Sequence, residues 1–107
     1  MTTIFKLSQP LKTHDGEVTE LKLKDPKAGL LVKYDDPFQI KPAKDGDGFE
    51  YVFNNKAVMQ FASAMSGVDD LLLADLSVSD FMRIRGEIAT IIMRSLPDRN
   101  PSEQPVD

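Results

Sequence analysis

The run Phe49-Glu-Tyr51-Val-Phe53-Asn54-Asn55-Lys-Ala-Val58-Met-Gln-Phe61-Ala62-Ser-Ala-Met65 changes period in its middle. Before Asn54 the large apolar side chains recur at every second residue, the spacing of a strand with one apolar face. After Asn55 they recur three and four apart, the spacing of one face of a helix. Asn54 or Asn55 supplies a cap at the switch, because a short amide side chain accepts from the unpaired N–H groups of a first helical turn. Strands before this point and helices after it predict an α+β fold, with N-terminal β-hairpins followed by a C-terminal helical subdomain.

Working back from Phe49, Phe38 and Ile40 alternate in the same way, and Lys44-Asp45-Gly46-Asp47-Gly48 is turn chemistry. This predicts a hairpin over residues 38–53. An earlier hairpin is expected from Ile4 to Lys24, where Phe5, Leu7 and Leu11 face Thr19, Leu21 and Leu23. A two-residue Asp15-Gly16 turn would set Leu7 against Lys24 and mix the faces. A three-residue loop of His14, Asp15 and Gly16 sets Leu7 opposite Leu23 and Leu11 opposite Thr19, with Gly16 left-handed. Pro10 has no N–H, so the first strand is expected to be an edge or to bulge there. Between the hairpins, Asp25 as cap and Pro26 as first helical residue predict a short helix to about Tyr34, stopped by Asp36-Pro37.

Working forward, Ser66-Gly67 ends the first long helix and Asp69-Asp70 opens a short turn of leucines. Ser77 and Asp80 have capping-box spacing. Phe81, Ile84, Ile88, Ile91, Ile92 and Leu96 then lie on one broad face of a helix of about 17 residues. Pro97 stops it. Residues 98–107 are polar and proline-rich and are expected to be a disordered tail. One domain is expected over 1–97, with hairpins in 4–53 and helices in 54–96.

The chain has 107 residues, a formal charge of −4 and no cysteine. Disulfides and thiolate metal sites are therefore excluded. The opening Met1-Thr-Thr-Ile-Phe-Lys6 breaks with charge at once, and no long apolar stretch follows, so neither a signal peptide nor a membrane span is expected. The acidic balance argues against a nucleic-acid partner, because phosphate contacts need a basic footprint.

Each tempting site has a plainer reading. With Gly48 at the sixth place of a calcium loop, Ala43 falls first and Asn54 twelfth, and both essential carboxylates are missing. Asp45 and Asp47 therefore read as turn residues. His14 is the sole histidine and sits at a turn tip without converging partners. Asp69, Asp70, Asp75 and Asp80 lie at helix starts, where negative charge suits the helix dipole. There is no Gly-rich phosphate loop, no Gly-x-Ser-x-Gly elbow and no His-x-x-x-His pair. No catalytic, cofactor or metal residues are expected, and the chain reads as non-enzymatic. Arg83, Arg85 and Arg94 on a second helix suggest a small DNA-binding regulator as the alternative, but the acidic 69–80 connection is too long for a tight helix-turn-helix.

Met59, Met65, Met82 and Met93 are read first as core, although methionine also suits surfaces that adapt to partner helices. The stripe on the last helix is wide for so small a domain. Its uncovered part is expected to bind protein, with Met65, Phe81, Ile84, Ile88 and Ile92 as the candidate contacts.

Three stretches resemble the tail assembly chaperones of tailed bacteriophages, in particular the Mu-like short tail assembly proteins. They are the opening hairpin with its His14-Asp-Gly-Glu-Val18 turn and Val18-Thr-Glu-Leu-Lys-Leu23 return strand; Lys24-Asp-Pro-Lys-Ala-Gly29; and Phe61-Ala-Ser-Ala-Met-Ser-Gly-Val-Asp-Asp-Leu71 with Leu73-Ala-Asp-Leu-Ser-Val-Ser-Asp-Phe81. The chain departs from that pattern in having Leu30 or Leu31 where an acidic residue is frequent, and in its aromatic 38–53 hairpin. The resemblance implies a non-catalytic protein of the host bacterial cytoplasm that coats the tape measure protein during tail morphogenesis and is absent from the mature virion. It also implies a frameshifted longer form of the same chain as a companion. A homo-oligomer and a structural tail or head-tail component are further readings.

Overall fold

The computed structural model describes residues 2–44 and 46–95. The chain runs β1 (Thr2–Thr13), β2 (Gly16–Lys24), α1 (Ala28–Lys33), β3 (Phe38–Pro42), β4 (Phe49–Phe53), α2 (Asn55–Ser66), α3 (Asp70–Leu73) and α4 (Val78–Ser95). Among the described residues strands pair only within each hairpin, giving two separate two-stranded antiparallel sheets, and the helices follow. This is the α+β arrangement that the change of period at Asn54 predicts. Asp45, Leu96, Pro97 and the expected tail over 98–107 lie outside the described residues.

The core lies between the first hairpin and the last three helices. Phe5, Leu11, Leu21 and Leu23 meet Val58, Phe61, Ala62 and Met65 of α2, Leu73 of α3, and Ile84, Ile88 and Ile91 of α4. Alternation along the strands and three-four spacing along the helices present these residues on facing surfaces. Every helix from α2 on starts on a side-chain cap. Asn54 Oδ1 accepts from the Ala57 N–H at 3.1 Å, Asp69 Oδ1 from Leu71 at 2.9 Å, and Ser77 Oγ from Asp80 at 3.1 Å. Gly67, at φ 76°, takes the left-handed position that closes α2.

Two local expectations are corrected. The first turn holds two residues, His14 and Asp15, with Thr13 opposite Gly16. Leu11 pairs with Val18 and Leu23 with Thr3, not Thr19 and Leu7. Between Lys6↔Glu20 and Leu11↔Val18, residues 7–10 of β1 stand against Thr19 alone. No single register pairs both Phe5 with Leu21 and Leu11 with Val18; a bulge around Pro10 does, and brings apolar residues together in both halves of the hairpin. The second correction concerns α1. It begins at Ala28, with Lys27 at the cap position and no side-chain cap bond. Pairing of Lys24 with Thr2 holds the chain extended to the end of β2, and Asp25 and Pro26 belong to the link leaving it.

In the second sheet Phe38, Ile40 and Pro42 lie opposite Phe53, Tyr51 and Phe49, which gives one apolar face. The Phe38 and Tyr51 rings stack 5.3 Å apart, and Phe53 leans on both. Phe53 packs against the core, whereas Phe49 is 75% exposed.

Candidate protein-binding groove

The position of α4 is set at its first turn. Ser77 caps the Asp80 N–H, and the Asp80 side chain turns away from its own helix to the bulge in β1. Its two oxygens accept from the Ser8 backbone N–H at 3.1 and 3.0 Å. Arg83 stands one turn along, 3.2 Å from Asp80, donates to the Lys6 carbonyl, and lays its guanidinium 4.8 Å from the centre of the Phe5 ring. The irregular stretch of β1 thus finds its hydrogen bonds on α4. Asp80 is 1% exposed. Burial pushes its carboxyl up, but the Ser8 N–H and hydroxyl, the Arg83 guanidinium and the Gln9 N–H together hold it below the usual aspartate value. Asp80 is therefore a buried, charged tie between α4 and the first hairpin as well as a residue of the helix start.

The five residues expected to contact a partner belong to the core. Met65, Ile84 and Ile88 are buried, and Phe81 and Ile92 are half-buried against them. The four on α4 pack toward the first hairpin and α2, and Met65 enters the same core from α2. The apolar side chains that α4 leaves exposed are Val78, Met82 and Met93.

A different face of α4 borders a groove of about 470 Å³ beneath the second hairpin. Tyr51 and Phe53 form one wall; Gly86, Ala89 and Thr90 form the floor; Met93 and Arg94 close the far end. Thr90 Oγ1 bonds back to the Gly86 carbonyl at 3.0 Å, which satisfies its hydroxyl within the helix. Arg85 lies 4.2 Å from the centre of the Phe53 ring and donates to Asn55 at 3.2 Å, steadying the hairpin beside the helix. A Cβ built on Gly86 meets nothing within 4 Å. The floor therefore has room for a close-approaching backbone. Small residues add little to a hydrophobic period, so this face is faint in the sequence; its signal is the recurrence of Gly86, Ala89, Thr90 and Met93 at helical spacing.

The other candidates are accounted for locally. His14 is exposed at the first turn and borders a shallow cleft with Ser66, Gly67 and Val68. The neighbouring Asp69 carboxyl is held below its usual value chiefly by the Leu71 N–H, with Asp70 next and His14 a small contribution. Arg83 and Arg85 are committed to contacts within the chain. Among the described residues no cluster of three or more His, Asp or Glu side chains is placed to hold a metal, and no helix is long and apolar enough to cross a membrane. No protein-family model, curated protein or solved structure matches the chain.

Proposed function

We propose that this protein is a non-catalytic assembly chaperone that seats an apolar helical stripe of a tape measure protein in the groove between α4 and the second hairpin. The observation that carries the reading is the groove itself, with an aromatic wall over a floor of Gly86, Ala89 and Thr90. Aromatic walls contribute large buried areas with few rotatable bonds, and small floor residues let a partner helix approach closely. Arg94 at the end favours an acidic residue on that partner. The similarity of the three sequence stretches to tail assembly chaperones supplies the client. It also supplies the setting, a host bacterial cytoplasm during tail assembly and before the virion is complete. A long tape measure helix exposes apolar stripes that aggregate unless covered, and an open, shallow groove suits cover that must later be shed.

Co-expression with the tape measure protein tests this. The expected result is co-purification and a gain in soluble tape measure protein. Gly86→Leu fills the floor at a site with open space and replaces a poor helix former with a good one. It should abolish the gain while leaving the fold intact. A tape measure protein equally insoluble with and without the chain sinks the proposal.

A further inference from the structure

The two edges of the second sheet are not equivalent. Asn54 N–H bonds to Pro37 O and Ala43 N–H to Gly48 O, at 2.9 and 3.1 Å. In an antiparallel ladder bonded and non-bonded pairs alternate. Gln39 with Val52 and Lys41 with Glu50 are then the bonded pairs inside the sheet. The backbone groups of Phe38, Ile40 and Pro42 point out of one edge, and those of Phe49, Tyr51 and Phe53 point out of the other. On the β3 edge Pro42 has no N–H and Lys41 adds charge, both ordinary protections against further pairing. The β4 edge, Phe49-Glu-Tyr-Val-Phe53, contains no proline or glycine and a single charge. No backbone partner for its outward groups occurs among the described residues. A two-stranded sheet of five-residue strands is marginal by itself, so this edge is where a further strand contributes most.

We infer that β4 pairs antiparallel with β4 of a second copy of this chain, on a two-fold axis through Tyr51, to make a four-stranded sheet. The pattern of the strand selects this occupant. Its aromatic residues are symmetric about Tyr51, so the pairing sets Tyr51 against Tyr51 and Phe49 against Phe53 on one face. All three are outward-bonding residues, as reciprocal hydrogen bonding across a two-fold requires. On the other face Glu50 stands opposite Val52 of the second copy, so the two carboxylates are not directly opposed. The pairing joins the two aromatic faces into one.

Sedimentation of the full chain at rising concentration, with Tyr51→Pro beside it, tests the inference. Tyr51 donates outward, so proline there removes the intermolecular bonds and spares the ladder to β3. The expected result is a dimer in the parent chain and a Kd weakened about tenfold or more in the variant, with the helical circular dichroism unchanged. A second test is independent of whether Tyr51→Pro folds. The chain has no cysteine. Glu50→Cys with Val52→Cys places thiols in a close non-bonded pair across the axis, at disulfide distance. Mild oxidation should give a covalent dimer, and Gln39→Cys with Lys41→Cys on the other edge should not. A parent chain that stays monomeric, or cross-linking that favours the β3 pair, overturns the inference.

Discussion

The first hairpin, β1–β2, and the second, β3–β4, are written in the same alternation, and the second carries the larger side chains. Leu21 and Leu23 of the first are nevertheless sealed, at 2% and 0% exposure, while Tyr51 of the second is 47% exposed. Apolarity does not separate them. What separates them is cover: α2, α3 and α4 all lay apolar faces on the first hairpin, and Asp80 and Arg83 tie α4 to its bulge. The second hairpin reaches the core through Phe53 and otherwise stands over the small-residue face of α4. The first hairpin is thus a structural wall, and the second is largely surface, with an apolar face that the chain covers only in part.

The sharpest way to break this contrast is to truncate one residue in each hairpin and compare denaturant midpoints. Leu23→Ala, at a fully buried site, should cost about 3 kcal/mol. Phe49→Ala should cost less than about 0.5 kcal/mol. Equal losses would mean that the second hairpin also belongs to the folding core.

Next in size is the tie between α4 and the first hairpin. Asp80→Asn keeps an acceptor but loses the charge that Ser8 and Arg83 face, and should cost about 2 kcal/mol at neutral pH. The Asp80 carboxyl is lowered from its ordinary value of 3.8 by folding. Its contribution is therefore complete above that value and is lost as the pH falls below it, through the lowered folded value. Stability of the parent and variant should converge on acidification in that range. A constant gap down to full protonation would assign the effect to shape instead of charge.

A smaller effect is expected at Gly67. Its left-handed φ of 76° costs an ordinary residue about 1 kcal/mol, so Gly67→Ala should lower stability by that amount although a Cβ there meets nothing within 4 Å. The opposite sign is expected at Gly86, inside α4. Gly86→Ala should stabilise the chain by up to about 1 kcal/mol, because the helix gains propensity in open space. Thermal melts of the two variants side by side check both signs.

Much of this was legible from local sequence. Asn54, Asp69 and Ser77 cap the helices at which their side-chain chemistry places them, and Gly67 ends α2 where a left-handed residue is required. The helix start at Asp25-Pro26 failed although its local chemistry was right, because strand pairing at Lys24 took precedence. The hairpin register failed because the turn holds two residues where a three-residue loop was expected, and the irregularity expected near Pro10 shifts the pairing again between Lys6 and Leu11. Phe81, Ile84, Ile88 and Ile92 form a coherent apolar stripe in the sequence, but the stripe does not say whether it meets a neighbour in the same chain or in another. The groove was hidden because its floor is made of the residues that carry the weakest signal.

The division has one physical cause. Periods, caps and turn glycines depend on residues within a turn or two of each other, so the sequence by itself determined the order and type of nearly every element. The burial of Asp80 against Ser8, the tie of Arg83 to Lys6, the covering of one hairpin and the opening of the other depend on residues more than 70 positions apart. Those were decided only when the helices docked, because docking sets which apolar face leaves water and which backbone groups must find a partner.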